Sequence, residues 1–252
     1  MERTDKRQKW LLEEKYGGKT SPQYEADVAR LHEGEPLDYI IGKTNFLGCT
    51  IDLQKRPLIP RTETEYWTEK VIKEVLRKDE RPLKILDIFS GSGCIGIAIA
   101  KYVPYASVTL SDISPHNIEQ IKTNIALNRI NEKRMTVIRS DMFEHIEGTF
   151  DYIFANPPYI AENRTEQVGR SVLDYEPHEA LFASNNGLFY IKRLLKETPL
   201  HLKPGGCMFI EFDSWQKDIL NVFLDALRPV YTKRVWHDDQ YEKPRMLEVR
   251  AP

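Results

Sequence analysis

Residues 150–159 read FDYIFANPPY, and this stretch decides how the rest of the chain is read. Phe150–Ala155 is apolar and β-prone with no helical periodicity, so it is expected to be a buried strand. The strand stops at Asn156-Pro157-Pro158-Tyr159. Two consecutive prolines donate no ladder hydrogen bonds and fix two φ angles, which stiffens the backbone. Pro157 also holds Asn156 towards an extended conformation. A strand end therefore delivers one amide side chain, a proline carbonyl and an aromatic ring at fixed positions. Asn-Pro-Pro alone is a common turn. The preceding apolar strand and the added tyrosine point beyond that, because ligands of open α/β sheets bind at the carboxyl ends of strands.

Outward from this stretch, strands and helices alternate. Strands are expected at Leu83–Phe89, Ser107–Asp112, Met135–Ser140 and Cys207–Phe212, with helices at Gly93–Tyr102, Pro115–Asn128, Leu188–His201 and Trp215–Leu227. Residues 160–185 read as a long polar connection, and Lys203–Gly206 as a turn. Repeated β-α units imply a parallel sheet with right-handed crossovers. Val230–Trp236 and Met246–Arg250 have no helix between them and should pair antiparallel. The fold class is therefore α/β. A seven-stranded, doubly wound, Rossmann-like sheet ending in an antiparallel hairpin is the class I methyltransferase architecture.

Asp87-Ile-Phe-Ser-Gly-Ser-Gly-Cys-Ile-Gly96 follows the first of these strands and opens a helix. Small residues at Ser90, Gly91, Ser92 and Gly93 let backbone amides approach a ligand at a helix N-terminus. Asp112 ends the next strand, 21 residues after Gly91, where a ribose-binding acid belongs. Dinucleotide binding competes, since Gly91, Gly93 and Gly96 keep that spacing. Asp87 is atypical of that fingerprint and suits a cation, such as the sulfonium and ammonium of S-adenosylmethionine. Asp141 and Met142 end the third strand above the same cleft. Asp141 is expected to accept from an adenine amino group and Met142 to pack on the ring; the alternatives are a turn cap and core packing.

Residues 2–33 read as a short helical hairpin broken at Gly17-Gly18 and Ser21-Pro22, either a docking lobe or a packing cap. Phe46–Cys49 and Ile51–Leu53 suggest a β-hairpin. Thr62-x-x-Glu65 is placed to cap a helix running to about Lys78. Arg61, Glu63 and Glu65, beside the rigid Pro60, are expected either to cover the cofactor cleft or to be caps and surface charge. The 252 residues carry a net charge of −2, which argues against a non-specific nucleic-acid binder. Three scattered cysteines and six dispersed histidines give no metal-ligand spacing, and fit a reducing compartment. The N-terminus is too acidic and polar for a leader, and no apolar run reaches membrane length. A cytoplasmic monomer that binds neither metal nor membrane is expected.

With these residues in view, the chain resembles the HemK/PrmC group of protein-(glutamine-N5) methyltransferases, which act on peptide-chain release factors. The resemblance runs from about Pro36 to the C-terminus. It is carried by PLDYIIGKTNFLG, LIPRTETE, LDIFSGSGCIGIAIA, SDISP, SDMF, FDYIFANPPYI, DYEPHEALFASNNGLFYIKRLL and LKPGG, in that order. It implies three regions: a short helical segment over 1–35, a hairpin and linker helix over 36–80, and an S-adenosylmethionine-dependent domain over 81–252. It implies that Phe89–Gly93, Asp112, Met142 and Asn156 contact the cofactor. Asn156, Pro157, Pro158 and Tyr159 would hold a glutamine, with Asn156, Pro157 and Tyr159 as the catalytic group. Glu176 and His178 would border a peptide channel or form a solvated loop pair. The family's loop usually reads G-T-G-S-G, whereas Phe89-Ser90 stands for its first two residues here. A phenylalanine there needs room and should hold the loop slightly away from the methionine moiety. The family's N-terminal helical domain is usually larger than the 35 residues before PLDYIIG. The implied chemistry is transfer of a methyl group to glutamine N5 in the Gly-Gly-Gln loop of a release factor. The rivals are N6-methylation of adenine in DNA or RNA, and methylation of a ribosomal-protein glutamine.

Overall fold

The computed structural model describes residues 2–227 and 230–252, with side chains from Lys6 onward. The chain opens with α1 (Glu2–Tyr16), α2 (Pro22–His32) and α3 (Leu37–Ile41). The Ser21 hydroxyl caps α2 by accepting from the Tyr24 amide at 3.1 Å, and Pro22 supplies a preset φ in its first turn. Leu11, Leu31 and Ile40 form the small core of this lobe. Asp27 is fully buried and accepts from Lys15, Tyr16 and Arg30. Arg30 also forks onto Glu35, and Glu35 pairs with Arg56 in the following segment. The lobe is thus tied to the rest of the chain by buried charge as well as by apolar contact.

β1 (Lys43–Phe46) and β2 (Cys49–Asp52) form an antiparallel hairpin. The expected strands, Phe46–Cys49 and Ile51–Leu53, were misplaced. The turn falls at Leu47-Gly48, where both residues take positive φ, +49° and +69°. That backbone is the two-residue hairpin geometry, and Leu47 hides it from a composition-based reading. The free edge of β2 does not face water. Asn128 and Asn124, on α6 (Pro115–Leu127) and its cap, accept from the β2 amides of Thr50 and Asp52, and Gln120, one turn earlier on the same face, accepts from the Lys55 amide just beyond the strand. α4 (Thr62–Glu74) begins after Arg61 without any side-chain cap. The expected Thr62–Glu65 capping box is absent because Glu65 is engaged elsewhere, accepting from the Leu47 amide at 2.6 Å.

Then come β3 (Leu83–Ile88), α5 (Cys94–Tyr102), β4 (Ala106–Asp112), α6, β5 (Met135–Arg139) and β6 (Phe150–Ala155). The expected polar connection over 160–185 is more ordered than its composition suggests. It contains β7 (Ile160–Ala161), α7 (Arg170–Tyr175) and β8 (Phe182–Ala183), with β7 and β8 paired in parallel. α8 (Phe189–Glu197), β9 (Leu202–Glu211), α9 (Lys217–Ala226), β10 (Lys233–Asp238) and β11 (Pro244–Arg250) complete the chain. The turn expected at Lys203–Gly206 is a register shift inside β9 against β6, so this strand begins earlier than expected.

Seven strands lie in the order β10-β11-β9-β6-β3-β4-β5. β5, β4, β3, β6 and β9 run parallel, and β11 and β10 close the edge antiparallel, as expected. The chain starts in the middle at β3, moves to one edge, and returns to β6 on the other side. A ligand crevice opens where a doubly wound sheet reverses in this way. One face packs against α4, α5, α6 and the β1–β2 hairpin, around Trp67, Ile97 and Phe154. The other packs against α8 and α9, around Ile191, Leu195 and Leu220. Among the described residues, no helix is long and apolar enough to cross a membrane, and no group of three or more His, Cys, Asp or Glu side chains is placed to hold a metal ion.

Candidate active site

The carboxyl ends of β3, β4, β5 and β6 surround a cleft of about 1150 Å³. Its floor is the loop after β3. Phe89 sits in the left-handed region at φ +61°, a conformation that costs a side-chain-bearing residue roughly 1–2 kcal/mol. Its ring turns out of the loop to meet Tyr190 edge-on, with centroids 5.3 Å apart, and both rings line the cleft. Ser90 staples two strand ends. Its hydroxyl donates to the Asp87 carbonyl at 2.6 Å and accepts from the Ser111 amide at 2.9 Å. Gly91 has φ +55°, and a Cβ there would meet nothing within 4 Å, so its backbone is bare towards the cleft. Ser92 also lines the cleft. Gly93 lies one layer behind, where a Cβ would press on Ile121, Ile97 and Leu110.

Asp87 stands beneath this loop rather than on the cleft lining. It is fully buried, with Oδ2 accepting from the Gly96 amide at 2.9 Å and Oδ1 meeting no partner. Burial pushes its pKa up to about 7. Asp112 lines the cleft. Its carboxylate accepts from the amides of Gly91 and Ser114, at 2.8 and 2.9 Å, and from Asn117. Burial raises this carboxyl too, against those donors. Met142 lies on the lining with φ +49°, held by a Ser140 hydroxyl bonded to its carbonyl. Asp141 lines the cleft as well, but is already shared with Arg193 at 3.3 Å.

These residues fit S-adenosylmethionine. Three carboxylates (Asp112, Asp141, Glu179) and a single guanidinium (Arg61) line the cleft, a balance suited to a cation. The unpartnered Asp87 oxygen adds a buried carboxyl beneath the glycine loop, one that turns negative as pH rises through about 7. Met142 and Ile113 offer apolar surface beside Asp112 for a base and ribose.

A second cleft, of about 670 Å³, opens on the other side of Asn156. Asn156, Arg61, Leu58 and Ala180 are common to both linings. Pro157, Tyr159, Ile160, Val168, Val172 and Leu181 make the second lining mostly apolar. Asn156 Nδ2 donates to Thr64 Oγ1 at 3.3 Å. Thr64 donates to Glu211 Oε2 at 2.6 Å, Trp67 Nε1 to the same oxygen at 2.7 Å, and the Tyr159 hydroxyl to Oε1 at 2.8 Å. Glu211 is completely buried, which raises its carboxyl pKa against these three donors. Burial, with Glu211 beside it, also pushes the Tyr159 hydroxyl well above its ordinary value. Tyr159 thus turns its polar end inward and its ring towards the second cleft. Within the described residues, nothing donates to Asn156 Oδ1 or to the Pro157 carbonyl.

The corner is buttressed from behind. Gln216 Nε2 donates to the Tyr159 carbonyl at 2.9 Å and to the Asn186 carbonyl at 3.2 Å. Gly187, at φ +74°, brings its own backbone so close that a Cβ would sit 2.0 Å from the Tyr159 oxygen. Arg61 is held by Glu176 at 2.8 Å, and Glu176 also accepts from the Ile59 amide at 3.0 Å. Glu176 is therefore buried behind the wall of the clefts, and His178 is exposed, bonded to the Leu173 carbonyl; Glu179 and Ala180 reach the lining instead. Glu63 and Glu65 do not line either cleft. Glu211 and Gln216 carry no motif of their own, and Thr64 lies inside LIPRTETE without having been singled out there.

Residues 68–181 match the family profile described as Methyltransferase small domain. The release factor glutamine methyltransferase of Flavobacterium psychrophilum is 36% identical over 231 residues, covering 90% of this chain and 79% of the relative. That of Streptococcus pneumoniae is 35% identical over 241 residues, covering 95% of this chain and 84% of the relative. That of Lactococcus lactis is 35% identical over 226 residues, covering 88% and 79%. Among solved structures, a methyltransferase from Pyrococcus furiosus superposes with a TM-score of 0.57 at 19% identity, over 88% of this chain and 96% of that one. A ribosomal protein L11 methylase from Lactobacillus delbrueckii gives 0.52 at 19% identity, over 79% and 82%. At such identities these two structures speak for the fold alone.

Proposed function

The chain belongs to the release factor glutamine methyltransferase family of S-adenosylmethionine-dependent enzymes, and from that premise we propose that it methylates the side-chain nitrogen, N5, of the glutamine in the Gly-Gly-Gln loop of a peptide-chain release factor, acting as a cytoplasmic monomer. The observation that carries the reading is the place of Asn156. It stands where two clefts meet, with its Oδ1 and the neighbouring Pro157 carbonyl free to accept.

When bound, the cofactor supplies an electrophilic methyl group on sulfur. In this reading Gly91, Ser92, Asp112 and Met142 hold it, with Asp87 beneath. A carboxamide nitrogen is a poor nucleophile, because its lone pair is delocalised into the carbonyl. This chain offers no strong base at the corner, and positioning does the work instead. Asn156 Oδ1 and the Pro157 carbonyl accept the two N–H bonds of the glutamine amide. That aims the nitrogen across the Asn156 boundary into the first cleft. As the C–N bond formed and the methyl–sulfur bond broke, positive charge would pass from sulfur to nitrogen, where the two fixed oxygens would stabilise it until the surplus N–H proton left to solvent. The apolar wall of Tyr159, Ile160, Val168 and Leu181 receives the methylene stem and keeps water out.

The test is intact-mass analysis of a bacterial release factor after incubation with this protein and S-adenosylmethionine. One added methyl group is expected, located by peptide fragmentation on the Gly-Gly-Gln glutamine. Asn156→Ala should lower transfer by roughly 100-fold or more, the scale of losing a fixed transition-state partner, with cofactor affinity by calorimetry kept. Turnover comparable to wild type in that variant, or labelling of nucleic acid in place of the factor, would sink the reading.

A further inference from the structure

Thr64 and Glu211 are 147 positions apart in sequence, yet together they decide which end of Asn156 faces outward. Trp67 Nε1 can only donate, and it donates to Glu211 Oε2 at 2.7 Å. With Tyr159 donating to Oε1 and the indole to Oε2, both carboxyl oxygens act as acceptors here and Oε2 carries no proton of its own. The Thr64 hydroxyl has one proton, and it points at this same oxygen at 2.6 Å. Only lone pairs remain on Thr64 Oγ1 for its other neighbour. The Asn156 atom 3.3 Å away must then be Nδ2, the donor. The amide oxygen is turned the opposite way.

We infer that Glu211, acting through Thr64, sets the orientation of the Asn156 amide so that the corner presents an oxygen to the incoming N–H. A flipped amide would set N–H against N–H and repel the substrate. Thr64 and Glu211 are positioning residues in this scheme and touch no reacting atom. The scheme also accounts for a carboxyl completely buried at the end of β9. Glu211 gathers three donors from α4 and from Tyr159, and so holds the helix, the amide and the aromatic ring of the corner in one network. The inference rests on the proposed reading only in taking a primary amide as the acceptor.

Two variants and two readouts test it. Thr64→Val keeps the shape and removes the hydroxyl; Thr64→Ser keeps the hydroxyl. With a bacterial release factor as substrate, Thr64→Val should lower kcat roughly tenfold, the scale of one lost hydrogen bond at a positioned group. Its cofactor dissociation constant should stay within twofold of wild type, and Thr64→Ser should restore kcat. A kcat for Thr64→Val within twofold of wild type overturns the inference. So does a loss of rate matched by an equal loss of cofactor affinity, since Thr64 would then act through the cofactor. The second readout needs no substrate. In isotope-labelled wild-type protein, an Asn156 side-chain amide proton should show a cross-peak to Thr64, and Thr64→Val should lose it. Absence of that cross-peak in the wild type overturns the inference. Its presence in a protein that leaves release factors unmodified upholds the relay and discards the substrate.

Discussion

Replacing Asp87 with asparagine should stabilise the protein, by an amount that depends on pH. Asp87 is wholly buried, and one carboxylate oxygen has no hydrogen-bond partner. Burial first, and the Asp112 carboxylate after it, raise its pKa from 3.8 to about 7, against the amide of Gly96. In the unfolded chain the group ionises near its ordinary value; in the folded protein it keeps its proton to about 7. Folding therefore takes up a proton between those values. The group's contribution is most favourable below pH 4 and is lost as pH rises through 7. At 1.36 kcal/mol per pH unit, the displaced titration costs the fold about 4 kcal/mol at pH 8, where the buried group is charged, and about 2 kcal/mol at pH 5, where folding must take up a proton. An asparagine in its place would keep an oxygen for the Gly96 amide and would not ionise. Urea denaturation of the cofactor-free protein should place Asp87→Asn above wild type at pH 8. Its standing relative to wild type should be about 2 kcal/mol better at pH 8 than at pH 5, the difference of those two costs, because the unpartnered amide N–H costs the same at both. Equal advantages at the two pH values would refute a carboxyl titrating in that window. Weaker cofactor binding by the same variant is expected at pH 8, because the buried charge is what would complement a cationic ligand.

Two further substitutions probe the geometry. Asp112→Ala should weaken cofactor binding at least roughly tenfold, because it removes an acceptor and frees the Gly91 and Ser114 amides; an unchanged calorimetric affinity would remove Asp112 from the ribose role. Gly187→Ala would drive a methyl group to 2.0 Å from the Tyr159 carbonyl at a φ of +74°. It should lower the melting temperature and also reduce kcat, since the corner itself must shift; a variant that melts and turns over like wild type would show that Gly187 does not buttress the corner.

Where a signal is local, the sequence carries it. β6 and its Asn-Pro-Pro-Tyr stop are legible because an apolar run ends in residues that cannot continue a ladder. The helical breaks at Gly17-Gly18 and Ser21-Pro22 are legible for the same reason. The parallel run of strands and its antiparallel end follow from alternating units and one missing crossover helix, whereas the strand order does not show in the sequence. What escaped depends on partners far away along the chain. Leu47 accepts a positive φ because the hairpin is clamped, with Glu65 on its amide and the amides of α6 along β2. Glu65 is thereby drawn off the helix cap that its spacing suggested. Glu176 is pulled inward by Arg61 and Ile59, which leaves its neighbours Glu179 and Ala180 on the lining. Thr64 lies in the LIPRTETE motif but Glu211 stands in unremarkable local sequence, and nothing short of the folded sheet sets one beside the other.

The order of the parallel strands has an evolutionary consequence. Groups that would grip the methyl donor hang from β3, β4 and β5, while those facing the acceptor hang from the tip of β6 and the segment that follows it. Only Asn156 and a few wall residues belong to both sets. Changes on one side of that seam should combine almost independently with changes on the other. A lineage built on this sheet can therefore exchange one recipient for another by drifting along one strand tip and the loop beyond it, with the apparatus that recruits its methyl source inherited intact.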